Sequence, residues 1–198
     1  VWDMTPAVPS ALTAAANGPL FCGPVAGADA FTRQVRELDR RWDGARHPSV
    51  GEELINLGAI QSEWGHFADA EAYYRQALDI IRAWYGPDHP ETASTLTSLG
   101  RALVAEHRDA DAEEMLRQAL TIEERVYGKV HPRVASTLNE LGTIAQREGR
   151  LDEAEADFTR MAAIYKSVYA DRHYLIGIAL SNLAGFYLAR NEYPRAQR

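Results

Sequence analysis

Residues 89–128 read HPETASTLTSLGRALVAEHRDADAEEMLRQALTIEERVYG, and residues 131–170 read HPRVASTLNELGTIAQREGRLDEAEADFTRMAAIYKSVYA. The second stretch repeats the first at a step of 42 residues. The same phase runs upstream to His47-Pro48 and downstream to His173-Tyr174, with no insertion or deletion. On this step Leu54, Leu96, Leu138 and Leu180 align. So do Leu57, Leu99, Leu141 and Leu183, each followed by Gly58, Gly100, Gly142 or Ala184. Ala70, Ala112, Ala154 and Ala196 share a later position. Tyr74, Leu116 and Phe158 follow four residues on. Each unit closes on Tyr85-Gly86, Tyr127-Gly128 or Tyr169-Ala170. A fixed period of this length marks a stack of like units, so it is read before any single motif.

Within a unit the spacing is helical. Leu54 and Leu57 stand three apart, and Ala70, Tyr74 and Ala77 stand four and seven apart, so each set lies on one stripe of an α-helix. The pattern predicts two antiparallel helices per unit. Helix A covers roughly 49–64, 91–106, 133–148 and 174–190. Helix B covers roughly 67–84, 109–126 and 151–168, and begins again near Tyr193. Proline after histidine falls in the first turn of helix A, where its missing N–H is harmless. Gly86-Pro87 and Gly128 end helix B. A lone pair cannot bury its apolar stripe, so neighbouring units stack and stability sums over their interfaces. The glycine after the second leucine lets helix A approach another helix closely, at ~1 kcal/mol of helix propensity against alanine. The expected fold is all-α, an α-solenoid of antiparallel helix pairs.

The phase divides the chain into a B helix at 27–46, repeats at 47–88, 89–130 and 131–172, and a partial repeat at 173–198. Residues 28–34 align without gaps with residues 70–76. Residues 1–26 read either as a degenerate first helix, around 9–17, or as an extended tail. Helix A of the last repeat is apolar nearly all round, through Leu175, Ile176, Ile178, Leu180, Leu183, Phe186 and Leu188. Such a helix wants cover. Self-association through the 174–198 end, or a longer array, is therefore expected.

Composition removes several function classes. The chain has 198 residues, 46% hydrophobic and 25% charged, with a formal charge of -7. This excludes wholesale disorder and argues against a broad basic surface for nucleic acid. No apolar run approaches the ~18 residues a membrane span needs. Cys22 is the single cysteine, which excludes an internal disulfide and fits a reducing cytoplasm. Nineteen of the 21 basic residues are arginine, a composition associated with GC-rich bacterial genomes. Phosphate-cradling and nucleophile-elbow motifs are absent. His47, His89, His131 and His173 recur once per repeat, too far apart to share the ~2.1 Å shell of a zinc ion, so they are expected to cap or pack the joints. Carboxylates at Asp69, Glu71, Asp111, Glu113, Glu114, Asp152, Glu153 and Glu155 fall at the starts of B helices, where negative charge suits the helix dipole. The chain is expected to be non-enzymatic, with no metal and no cofactor.

The L-x2-L-G run at Leu54–Gly58, with A-x3-Y at Ala70–Tyr74, resembles the tetratricopeptide repeat. The 42-residue unit, with its Y-G-P-D-H-P joint at Tyr85–Pro90, is similar to the kinesin-light-chain type. Arrays of this kind also occur in bacterial signalling proteins, including C-terminal regions of serine/threonine kinases. The resemblance implies a right-handed superhelix whose A helices line a concave groove for a peptide or protein segment. It also raises the alternative of a regulatory or oligomerisation module in a larger signalling protein. Helical geometry then selects the groove positions: Glu52 and Asn56; Ser94, Ser98 and Arg101; Asn139, Thr143 and Arg147; Ile178 and Asn182. In the family an asparagine before the Leu-Gly pair often holds a bound peptide. Asn56 and Asn182 keep that residue type, and Ser98 and Glu140 replace it. Arg101 and Arg147 are expected to meet acidic ligand groups.

Overall fold

The computed structural model describes residues 47–169, 173–190 and 193–196. The B helix expected at 27–46 and the alternatives for 1–26 lie outside these residues. The described helices are α1 (Pro48–Glu63), α2 (Phe67–Tyr85), α3 (Pro90–Ala105), α4 (Asp109–Tyr127), α5 (Pro132–Arg147), α6 (Leu151–Val168), α7 (Tyr174–Ala189) and α8 (Tyr193–Ala196). Odd-numbered members are A helices and even-numbered members are B helices. The fold is the expected α-solenoid of helix pairs. Each helix packs on the next along the chain, and α3 also touches its A-helix neighbours α1 and α5.

The joint histidines set the start of every A helix. Nδ1 of His47, His89, His131 and His173 accepts the backbone N–H two residues on, at Ser49, Glu91, Arg133 and Leu175, over 3.2 to 3.3 Å. These are N-caps, which satisfy one orphan donor of the helix. The rings also stack. His89 lies 4.3 Å from Tyr85, His131 4.5 Å from Tyr127, and His173 3.9 Å from Tyr169. The closing tyrosine of each repeat is thus the platform for the cap of the next. His47 rests on Trp84 of its own repeat instead.

The A–B turns repeat just as closely. Gly65, His107 and Gly149 share one position, and all have positive φ, at 80°, 61° and 75°. At each turn the N–H of this residue bonds the carbonyl three back, and the next N–H reaches five back. Examples are Gly65 to Ser62 and His66 to Gln61. That paired pattern is the Schellman motif, which favours glycine because a Cβ is crowded there. His107 bears that cost.

The glycine of each Leu-Gly pair works inside its own repeat. A Cβ on Gly100 would fall 2.7 Å from Leu116 Cγ; on Gly58, 2.7 Å from the Tyr74 ring; on Gly142, 2.9 Å from the Phe158 ring. Tyr74, Leu116 and Phe158 are all nearly or fully buried. The knob of helix B fills the space that helix A leaves empty. Leu54, Leu96, Leu99, Leu138 and Leu141 pack around that contact.

Charged side chains lace the outer surface between repeats. Arg108 meets Glu71 at 2.6 Å, and Arg150 meets Glu113 at 2.9 Å, in the same register. Arg190 takes that place against Glu155, at 3.3 Å. The acids expected to serve the helix dipole therefore also join neighbouring repeats. Partly exposed pairs of this kind contribute roughly 0.2–1 kcal/mol each.

Two outcomes follow from this packing. Gly100→Ala should lower stability by about 1–3 kcal/mol as an overpacked contact. In a Leu116→Ala background the same change should become neutral or stabilising, since space is then free and alanine favours helix; chemical denaturation of the four variants measures the coupling. His107→Gly should raise stability by about 1 kcal/mol, because glycine takes the left-handed turn without strain, and thermal unfolding reads the gain.

Candidate functional site

The A helices α1, α3, α5 and α7 carry the predicted groove positions. On α1, Glu52 and Asn56 are exposed, and neither has a hydrogen-bond or ion-pair partner among the described residues. On α3, Ser94 and Ser98 are half-buried, and their hydroxyls likewise have no such partner. Their small side chains leave the middle of the surface open. On α7, Ile178 is 48% exposed.

The other predicted residues already have partners within the array. Arg101 reaches from α3 to α5, where Nε donates to Glu140 at 3.0 Å and Nη2 to Ser136 at 2.7 Å. Asn182 on α7 donates from Nδ2 to Asn139 Oδ1 on α5 at 2.6 Å. Thr143 turns its hydroxyl to the carbonyl of Asn139 in its own helix. Arg147 points back over the preceding A–B turn, pairing with Asp109 and approaching the Val104 carbonyl at 3.4 Å. The two arginines expected to await an acidic ligand already have carboxylate partners of their own. The Arg101 side chain still keeps 53% of its exposure, so the brace lies open to solvent.

A buried carboxylate between α3, α4 and α5 was not anticipated. Glu123 is 2% exposed and lies where the first repeat has Ile81 and the third Tyr165. Thr137 of α5 donates its hydroxyl to Glu123 Oε2 at 2.8 Å. Arg133 and Arg101 bear on it electrostatically, while the Thr97 hydroxyl of α3 donates to the Ala93 carbonyl of its own helix. Burial outweighs these and pushes the Glu123 carboxyl above the usual range. Asp157 on α6 is pushed up to about 6, again chiefly by burial. The alignment carried the Glu123 signal as an acid at an Ile/Tyr position, and its partner Thr137 stands on the next A helix.

Each joint histidine spends Nδ1 on its cap, and among the described residues no three His, Cys, Asp or Glu side chains gather as a metal site. None of the described helices is long and apolar enough to cross a membrane.

This architecture of capped, glycine-notched helix pairs defines a repeat protein of the α-solenoid class. The profile of the tetratricopeptide repeat family matches residues 27–83, 67–125 and 133–198, and the chain belongs to that family. Among solved structures it is similar to BtubC (BKLC) from P. vanneervenii, with a TM-score of 0.72 and 23% identity over 82% of this chain and 66% of that one. It thus spans just under two thirds of BtubC. It is also similar to a putative kinesin light chain from Podosopora anserina with nearly identical TPR-like repeats. There the TM-score is 0.71 and identity 21%, over 94% of this chain and 86% of that one. The apo form of RapI shares the fold more loosely, with a TM-score of 0.63 and 14% identity over 74% of this chain and 39% of that one. No curated protein sequence matches the chain.

The two raised carboxyls give a pH dependence of definite sign. A group whose folded-state pKa is raised keeps its proton where the unfolded chain has lost it. Its contribution is full below the unfolded value and is lost as pH rises through the folded one. For Asp157 that window runs from about 4 to 6, and for Glu123 it opens at about 4.5. Glu123→Gln should therefore be more stable than the parent at pH 7 and lose less stability between pH 4.5 and 7. Urea midpoints across that range check the slope.

Proposed function

We propose that the chain is a non-enzymatic interaction scaffold whose A-helix groove receives an extended segment of another protein. Tetratricopeptide repeats generally mediate protein–protein interaction, and the lining here supports a particular mode. The observation that carries the reading is the set of exposed or half-buried Asn56, Ser94, Ser98 and Ser181, polar side chains with no hydrogen-bond partner among the described residues. Hydroxyls and amides offer both donors and acceptors, which match the alternating N–H and C=O groups of an extended main chain. Arg101 and Arg147 are held by Glu140 and Asp109, so an acidic ligand group would have to displace a carboxylate already in place. Glu52 at the α1 end has no ion-pair partner among the described residues, and Ile178 offers apolar surface at the other. The groove therefore reads as a main-chain binder rather than a clamp for acidic tails. The lone cysteine suits a reducing compartment such as the cytoplasm.

The test is affinity capture from the source cell, followed by titration of the captured partner. Ser98→Trp fills the middle of the groove and should weaken binding at least tenfold. Asn56→Ala together with Arg101→Ala should weaken it without changing helix content by circular dichroism. Thr121→Trp, exposed on B helix α4, should leave it unchanged. Equal affinity in all of these variants would place the partner away from the A helices.

A further inference from the structure

The joint between the second and third repeats carries an exposed patch that the register does not repeat. It spans residues 126–133 and has a whole helix pair packed on either side. Val126 is 42% exposed and Val130 60% exposed. Lys129 and Arg133 are exposed beside them. Elsewhere the array holds its cations on carboxylates: Arg75 on Glu71, Arg117 on Glu113 and Arg125 on Asp88. The Lys129 side chain has no ion-pair or hydrogen-bond partner among the described residues. Arg133 lies over the Tyr127 ring, 5.7 Å from its centroid. Buried Glu123 bears on it through the core, but among the described residues no carboxylate pairs with it.

The first joint differs at the same positions. Val126, Lys129, Val130 and Arg133 align with Trp84, Pro87, Asp88 and Glu91. There Asp88 reaches Arg125 of the next repeat at 2.5 Å, so its position ties two repeats together. One repeat later that pair of positions holds Val130 and Ser167, which cannot form an ion pair. Lys129 and Val130 thus stand outside the contacts that hold the array. The backbone beneath them is fixed all the same. Arg160 of α6 donates to the Lys129 carbonyl at 3.3 Å and to Glu124 at 2.5 Å, and His131 stacks on Tyr127. A surface already held in place loses little freedom on binding.

We propose that this joint docks a short acidic segment of a partner protein, in which an apolar residue lies between two carboxylates. The apolar side chain covers Val130 and Val126. One carboxylate meets Lys129 and the other the Arg133 guanidinium. Charge complementarity selects this occupant, because a chain of formal charge -7 presents here two cations that its own carboxylates leave unpaired. Asp88 and Glu91 repel the same segment from the first joint, which gives one site of this kind over the two joints. An anionic bilayer is the poorer match, since recognition of that kind uses clusters of about four to eight cations. The site is separate from the A-helix groove and independent of what that groove binds.

The probe is a random dodecapeptide library displayed on phage, selected on the full chain and counter-selected on a variant with Lys129→Glu and Val130→Asp. Both side chains are exposed, and the first joint carries aspartate at the Val130 position, so helix content and melting temperature should hold. Peptides that distinguish the two proteins should carry Asp or Glu on either side of an aliphatic or aromatic residue. Their labelled synthetic forms, followed by anisotropy, should bind one-to-one and weaken as salt is added. Affinity should fall at least tenfold in the double variant and several-fold in Arg133→Gln. The absence of any peptide that tells the proteins apart, or peptides without the acidic pattern, overturns the proposal. So does binding abolished by Ser98→Trp, which places the peptide in the A-helix groove. Adsorption to phosphatidylserine vesicles that the double variant loses, with no peptide selected, overturns it in favour of a lipid surface. A dimer in sedimentation that the double variant dissociates, again with no peptide selected, does so in favour of a second copy.

Discussion

The contact on which the array depends is the seating of one B-helix side chain in the notch left by an A-helix glycine. Tyr74, Leu116 and Phe158 differ in shape, yet each comes within 3 Å of where a glycine Cβ would sit. Such an approach is available only to glycine, so the notch fixes how far apart the two axes lie and at what height they meet. Once that is set, the leucines four residues before it, Leu54, Leu96 and Leu138, fall into register as a core. The ~1 kcal/mol that glycine costs an isolated helix is set against burial of an entire Leu, Tyr or Phe side chain, about 1.5–3 kcal/mol. The balance favours the notch wherever a knob is present.

Around these pairs, the joints and turns use short-range chemistry that recurs once per period. A histidine cap, a tyrosine platform beneath it and a left-handed residue at the A–B turn each need only neighbours within a few positions. Side chains then tie one repeat to the next along two tracks, Arg108 to Glu71 and Arg150 to Glu113 outside, Arg101 to Glu140 and Asn182 to Asn139 on the A-helix side. The second track joins Arg101, Asn139 and Asn182, three of the predicted groove positions, across successive A helices.

Most of the fold was legible in the chain because it rests on local periodicity. Helix limits expected from the Leu, Ala and Pro spacing fall within a residue or two of those observed. The glycine was expected at a close crossing; that its neighbour is the B helix of the same repeat depends on three-dimensional register. The site was less legible. Ser94, Ser98 and Asn56 lie open as the helical wheel places them, whereas Arg101, Asn139, Arg147 and Asn182 are tied across repeats. A wheel describes one helix, and these contacts span some forty residues of sequence. Glu123 stood out of pattern as an acid at an apolar position, but its partner Thr137 comes from a different helix.

Glu123 also marks a change in the material of the array. The apolar contacts fall into two networks that meet at α5: Leu141 and Ile144 belong to the one centred on α3 and α4, and Val134, Ala135, Leu138 and Ala145 to the one built on α6 and α7. Thr137, in the same helix, bonds the carboxylate. Hydrocarbon is indifferent to sliding by a fraction of an ångström, but a hydrogen bond is directional and weakens steeply with angle. A stretched or bent array would therefore yield first between its second and third repeats, and would part there as two blocks rather than unravel from an end.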